Sequence, residues 1–162
     1  MPADFYIDVP RRLVFSQGAG VVTVADFLSH MNRLVHHPDF HPEFNQLLDF
    51  RRVEEVTLTT ENIILLAERN VFSPKSQRAF VVTTDLHFGL VRMFGSYREM
   101  AGEQGIRLFR EMKEALAWLA LTEEPDPGRF LKLNEAAGQR EANHFTRRPV
   151  SRADPPAPGS TA

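Results

Sequence analysis

The chain contains no cysteine, which removes disulfides, thiolate nucleophiles and Cys-ligated zinc from consideration. It also lacks an excess of charge of either sign. The 19 Lys and Arg against 21 Asp and Glu leave a formal net charge of -2 over 162 residues. Nucleic-acid binding relies on a basic surface, so nucleic acid is set aside as a main partner. Long apolar runs are missing too, and none approaches the roughly 20 residues of a membrane span. Asp4 and Asp8 stand near the start, with no basic stretch leading into an apolar one, so no signal peptide is expected. The expected location is the cytoplasm.

What is present is an ordinary globular composition, 43% apolar and 25% charged, enough for one well-buried core. Phe5-Tyr6-Ile7-Asp8-Val9 and Arg12-Leu13-Val14-Phe15-Ser16 are short β-prone runs flanking Pro10-Arg11, which predicts an antiparallel hairpin. Gly18-Ala19-Gly20 is read as the end of the second strand. Thr23 with Asp26 three residues on starts a helix, and Phe27, Leu28, Met31, Leu34 and Val35 recur at helical spacing. Gln46 to Phe50 reads as the next strand, with Arg51 to Val56 as a polar turn after it. A helix from about Thr60 then turns Ile63, Leu66 and Ala67 to one side.

Arg78 to Thr84 is the most continuous apolar run, as for a strand buried on both faces. A third helix follows with Asp85 as its N-cap, carrying Phe88, Val91 and Phe94, flanked by Leu90 and Tyr97. Ile106 to Phe109 is the last strand and Glu111 to Leu121 the last helix. The predicted order is β-β-α-β-α-β-α-β-α, an α/β single domain over residues 1–121. Its sheet is mostly parallel with an N-terminal antiparallel hairpin and right-handed crossovers. From 122 to 162 the character changes. Pro125, Pro127, Pro149, Pro155, Pro156 and Pro158 all fall there, out of 11 in the chain, and apolar content is too low for a second core. That stretch is read as a disordered or partly helical tail.

Function is less legible. In open α/β sheets ligands and partners gather beyond the carboxyl ends of strands, which directs attention to the segment after Asp49. Thr59 and Thr60 at the following helix start are either an anion-binding or modifiable end, or plain N-caps, and the cap is the commoner use of Thr. Arg51 and Arg52 beside Glu54 and Glu55 are either a solvated charged face or partner-recognition charges. Phe88, Met93, Phe94 and Tyr97 exceed what one buried helix stripe needs, which suggests a dimer face or an apolar ligand pocket, with plain core packing as the simpler account.

His36, His37 and His41 with Asp39 and Glu43 are the densest set of metal-ligand types. Adjacent histidines diverge at a helix end and the i, i+4 pair of a metalloprotease helix is missing, so no metal is expected. Gly18-Ala19-Gly20 is no dinucleotide fingerprint, Gly95-Ser96-Tyr97 no nucleophile elbow and Ser29-His30 no triad. No cofactor and no catalytic set is expected.

The runs Phe5 to Asp8, Arg12 to Ser16, Val21-Val22-Thr23, Leu47-Leu48-Asp49, Arg78 to Val82, Phe88 to Phe94 and Glu114 to Leu119, in this element order, resemble the STAS domain family of anti-sigma-factor antagonists and sulfate-transporter tails. The closer resemblance is to a bacterial sporulation-antagonist-like (SpoIIAA-like) subgroup. It covers about Phe5 to Leu121. In classical antagonists the turn before the second helix carries Asp-Ser-Ser-Gly, whose second Ser is phosphorylated by a kinase anti-sigma factor. Matched on the helix start, Thr59 falls nearest that Ser, while Thr57 replaces the Asp and Thr60 the Gly. What the resemblance implies is a non-enzymatic regulatory module. It would dock an unknown protein partner around Arg51, Arg52, Thr57, Thr59 and Thr60, without the classical phospho-switch. The alternative is a lipid or small-molecule binder with an apolar pocket near the third helix, since parts of this broad fold resemble CRAL-TRIO lipid-transfer domains. Homodimerisation through that helix is left open.

Overall fold

The computed structural model describes residues 3–126 and 128. The elements are β1 (Ala3–Asp8), β2 (Leu13–Thr23), α1 (Val24–Val35), β3 (Asn45–Thr57), α2 (Thr60–Glu68), β4 (Arg78–Val81), α3 (Asp85–Met100), β5 (Ile106–Phe109) and α4 (Met112–Trp118). They form one five-stranded sheet in the order β1-β2-β3-β4-β5. β1 runs antiparallel to β2, and every later pair is parallel. The predicted element order, hairpin and parallel sheet are therefore all present. Of the expected tail, Pro125 is buried and Glu124 pairs with Arg51. The rest of it, apart from Thr122, Glu123, Asp126 and Gly128, lies outside the described residues.

Strand order explains the layering. When each parallel strand is added beside its predecessor, crossovers of one hand place every connecting helix on the same face. Accordingly α1, α2 and α3 share one face. There Leu48, Phe50, Phe80, Val82 and Val91 form a core with Phe27 and Phe94 packed against it. The opposite face is covered by α4 and its C-cap residue, with Met112, Ala115 and Leu119 packed on Tyr6, Leu13, Phe15, Leu47 and Val81. Strand alternation sorts the residues, with Leu47, Ala79 and Val81 facing α4 and Leu48, Phe80 and Val82 facing the three-helix side.

β2 and β3 are much longer than the sequence suggests. Gly18-Ala19-Gly20 does not end β2, and the turn expected at Arg51 to Val56 is strand. Two irregularities in the ladder, between Gln17 and Ala19 and between Gly20 and Val21, each give β3 one residue more than β2. These are β-bulges. Gly20 has φ +64°, and a Cβ on Gly18 would come within 2.7 Å of Val53 Cγ2, so both glycines serve the ladder rather than break it. The extra residues change the inward spacing of β3 from two to three. Phe50, Val53 and Val56 turn toward the core, while Arg51, Arg52, Glu54, Glu55 and Thr57 are exposed.

The helix starts follow the residues. Thr23 and Asp26 form the expected capping box on α1. Thr84, not Asp85, caps α3: its hydroxyl accepts from the His87 amide at 3.2 Å, and Asp85 sits in the first turn near the positive helix end. Gly89, on the exposed side of α3, has nothing within 4 Å of an added Cβ and no left-handed φ. Gly89→Ala should raise stability by about 0.5–1 kcal/mol, seen as a higher urea midpoint at unchanged slope.

Candidate functional site

α2 decides where the interior is incomplete. It leans on α3, and less on α1, rather than on a strand. Ile63, Leu66 and Ala67, the face expected from the sequence, point inward. Between them and the sheet lies a cavity of about 90 Å³. Its floor is Leu48, Phe50 and Phe80, its roof Ile63 and Leu66, and Phe27, Met31, Leu90 and Phe94 close its sides. Leu58, in the two-residue link from β3 to α2, also lines it and is only half-buried. Walls of this kind favour apolar guests.

One end of the cavity is polar, and the polar groups form a chain across three strands. Gln46 and Arg78 are paired in register on β3 and β4, and both face the three-helix side. Arg78 Nε donates to Gln46 Oε1 at 3.0 Å, and Nη1 reaches Asn70 Oδ1 at 3.1 Å and Glu103 Oε1 at 3.3 Å. Glu103 is fully buried and accepts a second guanidinium through Oε2, from Arg98 Nε at 2.8 Å. Gln46 in turn donates to Ser16 Oγ at 3.1 Å, and the His30 ring lies 3.0 Å from the same hydroxyl. Phe72, Phe80 and Phe94 surround the Arg78 guanidinium, with ring centroids 4.6, 5.7 and 5.5 Å away.

Burial sets the charge of these groups. The His30 imidazole is pulled down from 6.5 to about 4, chiefly by desolvation and further by the Arg33 charge. Burial draws Arg78 down to about 10, while Glu103 opposes the drop, so the guanidinium stays charged. His87, in the first turn of α3, borders the cavity beyond the other end of β4 and is 2% exposed. Desolvation lowers its pKa as well, and its Nδ1 is buried without a hydrogen-bond partner.

Of the four aromatic and Met residues singled out on α3, the structure brings only Phe94 to the cavity. Phe88 packs against the sheet under the Arg110 guanidinium, 4.5 Å from its ring centroid. Tyr97 is half-buried, and Met93 lies on the surface at 36% exposed with Leu86 and Met100. The polar chain of Ser16, His30, Gln46, Arg78 and Glu103 was not anticipated. Its only trace in the sequence is polar residues at core-facing positions of otherwise apolar strands.

The residues expected at the docking turn are also dispersed. Thr57 ends β3, with its hydroxyl 3.5 Å from Glu55 Oε1. Thr59 is the N-cap of α2 in a reciprocal box: Oγ1 accepts from the Asn62 amide at 3.2 Å, and Asn62 Oδ1 accepts from the Thr59 amide at 3.1 Å. Thr60 is the exposed first residue of that helix. Arg51 does not pair with Glu54 or Glu55. It forks onto Asp49 Oδ1 and Oδ2, both at 2.9 Å, and also bonds Glu124. Those bonds, Asp49 first, raise its pKa above the ordinary Arg value. Arg52 is exposed. Thr59→Ala should lower stability by about 1 kcal/mol through loss of the cap, measurable by urea unfolding.

His36 Nδ1 bonds its own helix at Asn32 O (2.8 Å), His37 Nδ1 accepts from the Asp39 amide (3.2 Å) and His41 packs on Phe44. Among the described residues no group of three or more His, Cys, Asp or Glu side chains is placed to hold a metal ion, and no helix is long and apolar enough to cross a membrane.

No protein-family model matches the chain, and no curated protein matches it. Four chains of solved structure do. One is the crystal structure of an uncharacterized protein from the DUF3478 family with a SpoIIAA-like fold, from Shewanella loihica PV-4. It is 16% identical, with 72% of this chain and 93% of that chain covered and a TM-score of 0.49.

Proposed function

We propose that this protein is a non-enzymatic, cytoplasmic binding module that takes a small apolar molecule into the cavity beneath α2. The observation that carries this reading is the cavity itself: about 90 Å³ between a two-sided core and a helix that rests on other helices. A guest in a partly open apolar pocket buries its own apolar surface together with that of the walls. The titratable groups lining it are His30, His87 and Arg78. Burial lowers the pKa of both histidines, which favours their neutral forms near pH 7. Among the described residues no carboxylate lines the walls, so no acid-base pair of these converges on a guest.

The test is binding of a neutral fluorophore, N-phenyl-1-naphthylamine, together with native mass spectrometry before and after delipidation. Saturable binding that vanishes in a cavity-filling Leu66→Phe variant of unchanged circular dichroism is the expected result. A mass always equal to the bare chain, with no dye binding and no change of melting temperature on delipidation, would sink the reading.

A second reading rests on a different observation. β4 pairs with Gln46 to Asp49, and among the described residues no strand pairs with that edge of β3 past Asp49. An extended partner segment could add to it there, with Arg52, Thr57, Thr59 and Thr60 as exposed flanking contacts and the Asp49-held Arg51 at its start. An Arg52→Glu, Thr57→Pro variant that still captures the same partner from host lysate as the unaltered protein argues against this edge.

A further inference from the structure

The polar end of the cavity carries one cation more than it carries anions. Arg78 and Arg98 share the single carboxylate of Glu103, at 3.3 and 2.8 Å. Among the described residues no second carboxylate bonds either guanidinium. All three side chains are buried or nearly so, with Arg98 the most exposed at 11%. An uncompensated charge in such a place is costly unless something balances it. Cation-π contacts from Phe72, Phe80 and Phe94 and the amides of Gln46 and Asn70 spread the charge without cancelling it.

Of the triad, Arg78 is the member that lines the cavity. Arg78 spends Nε on Gln46 and Nη1 on Asn70 and Glu103. Its Nη2 donates to no atom of the described residues. The Arg78 side chain keeps 8% of its surface accessible, and the space that it borders is the cavity. A guanidinium bordering a largely apolar chamber is a receptor for one oxyanion on an apolar body.

We infer that the cavity ligand is a monocarboxylate with a compact apolar body, its carboxylate taking the Nη2 edge of Arg78 and its body lying under Ile63 and Leu66. This rests on the reading of the cavity as a ligand site and adds the chemical class. A single negative charge balances the surplus of the Arg78–Glu103–Arg98 triad. His87, which lines the cavity beyond the other end of β4, has its pKa lowered by desolvation, so it brings no second cation to compete with Arg78 near pH 7.

The experiment displaces N-phenyl-1-naphthylamine from the full-length chain at pH 7.5 with a matched series: 4-phenylbutanoate, 4-phenylbutanol and methyl 4-phenylbutanoate. The expected result is that the carboxylate binds at least about 10-fold more tightly than the alcohol or ester, as for a charge-assisted hydrogen bond. Arg78→Met, which leaves Glu103 paired with Arg98, should erase that preference while retaining alcohol binding. Equal affinity across the series, or tighter binding of the alcohol, overturns the inference and leaves the cavity reading intact. Failure of the dye itself to bind overturns the cavity reading. If Arg78→Met does not fold, the ligand series on the unaltered protein decides alone.

Discussion

Glu103→Gln should destabilise the fold by about 3–5 kcal/mol, the cost of removing one partner from a buried ion pair. The side chain is fully buried and holds Arg78 and Arg98 together, one through each oxygen. Glutamine preserves the shape but not the charge, so two guanidinia would face each other across a neutral amide. Arg98 Nη1 also ties the triad to the Ala67 carbonyl at 2.7 Å, near the end of α2. The loss should therefore reach the roof of the cavity. Chemical denaturation would show a lower midpoint, and hydrogen exchange would show earlier opening of α2 than of β3. A variant as stable as the parent would mean that the triad is solvated in solution.

His30 predicts an acid limit on stability. The unfolded chain takes up its proton near pH 6.5, whereas the folded protein does so only near pH 4. Between those values the unfolded state binds more protons, so stability falls as pH falls, and above pH 6.5 this group has no effect. The whole window is worth on the order of 3 kcal/mol. His87, lowered in the same direction, adds to the loss. Urea midpoints at pH 7.5 and 4.5 should differ more for the parent than for His30→Gln. Equal differences would show that the buried ring near Ser16 is not what titrates.

Much of the fold was legible because its signals are local and periodic. The capping box at Thr23, the inward face Ile63-Leu66-Ala67 and the apolar run from Arg78 each rest on residues within one turn or one strand. The second half of β3 was not legible, for a physical reason. Two bulges replace the two-residue alternation with Phe50, Val53 and Val56 at three-residue spacing, a pattern that reads as neither strand nor helix. The cavity was half legible. A surplus of apolar residues on α3 pointed to it, but only Phe94 of those singled out borders it. Its polar end joins Ser16, Gln46, Arg78 and Glu103 across β2, β3, β4 and the segment after α3. Contacts between residues some thirty positions apart leave no mark in either neighbourhood.

The order of strands also bears on how the molecule assembles. Leu13 pairs with Asn45, Gln46 with Arg78, and Arg78 with Ile106. Each new parallel strand therefore closes a loop of about 30 residues on the strand before it, at nearly the same entropic cost each time. No strand has to wait for a later one to be inserted between it and its neighbour. A chain leaving the ribosome can lay down hairpin, then β3, β4 and β5 as successive additions to one growing edge, with α4 sealing the remaining face last.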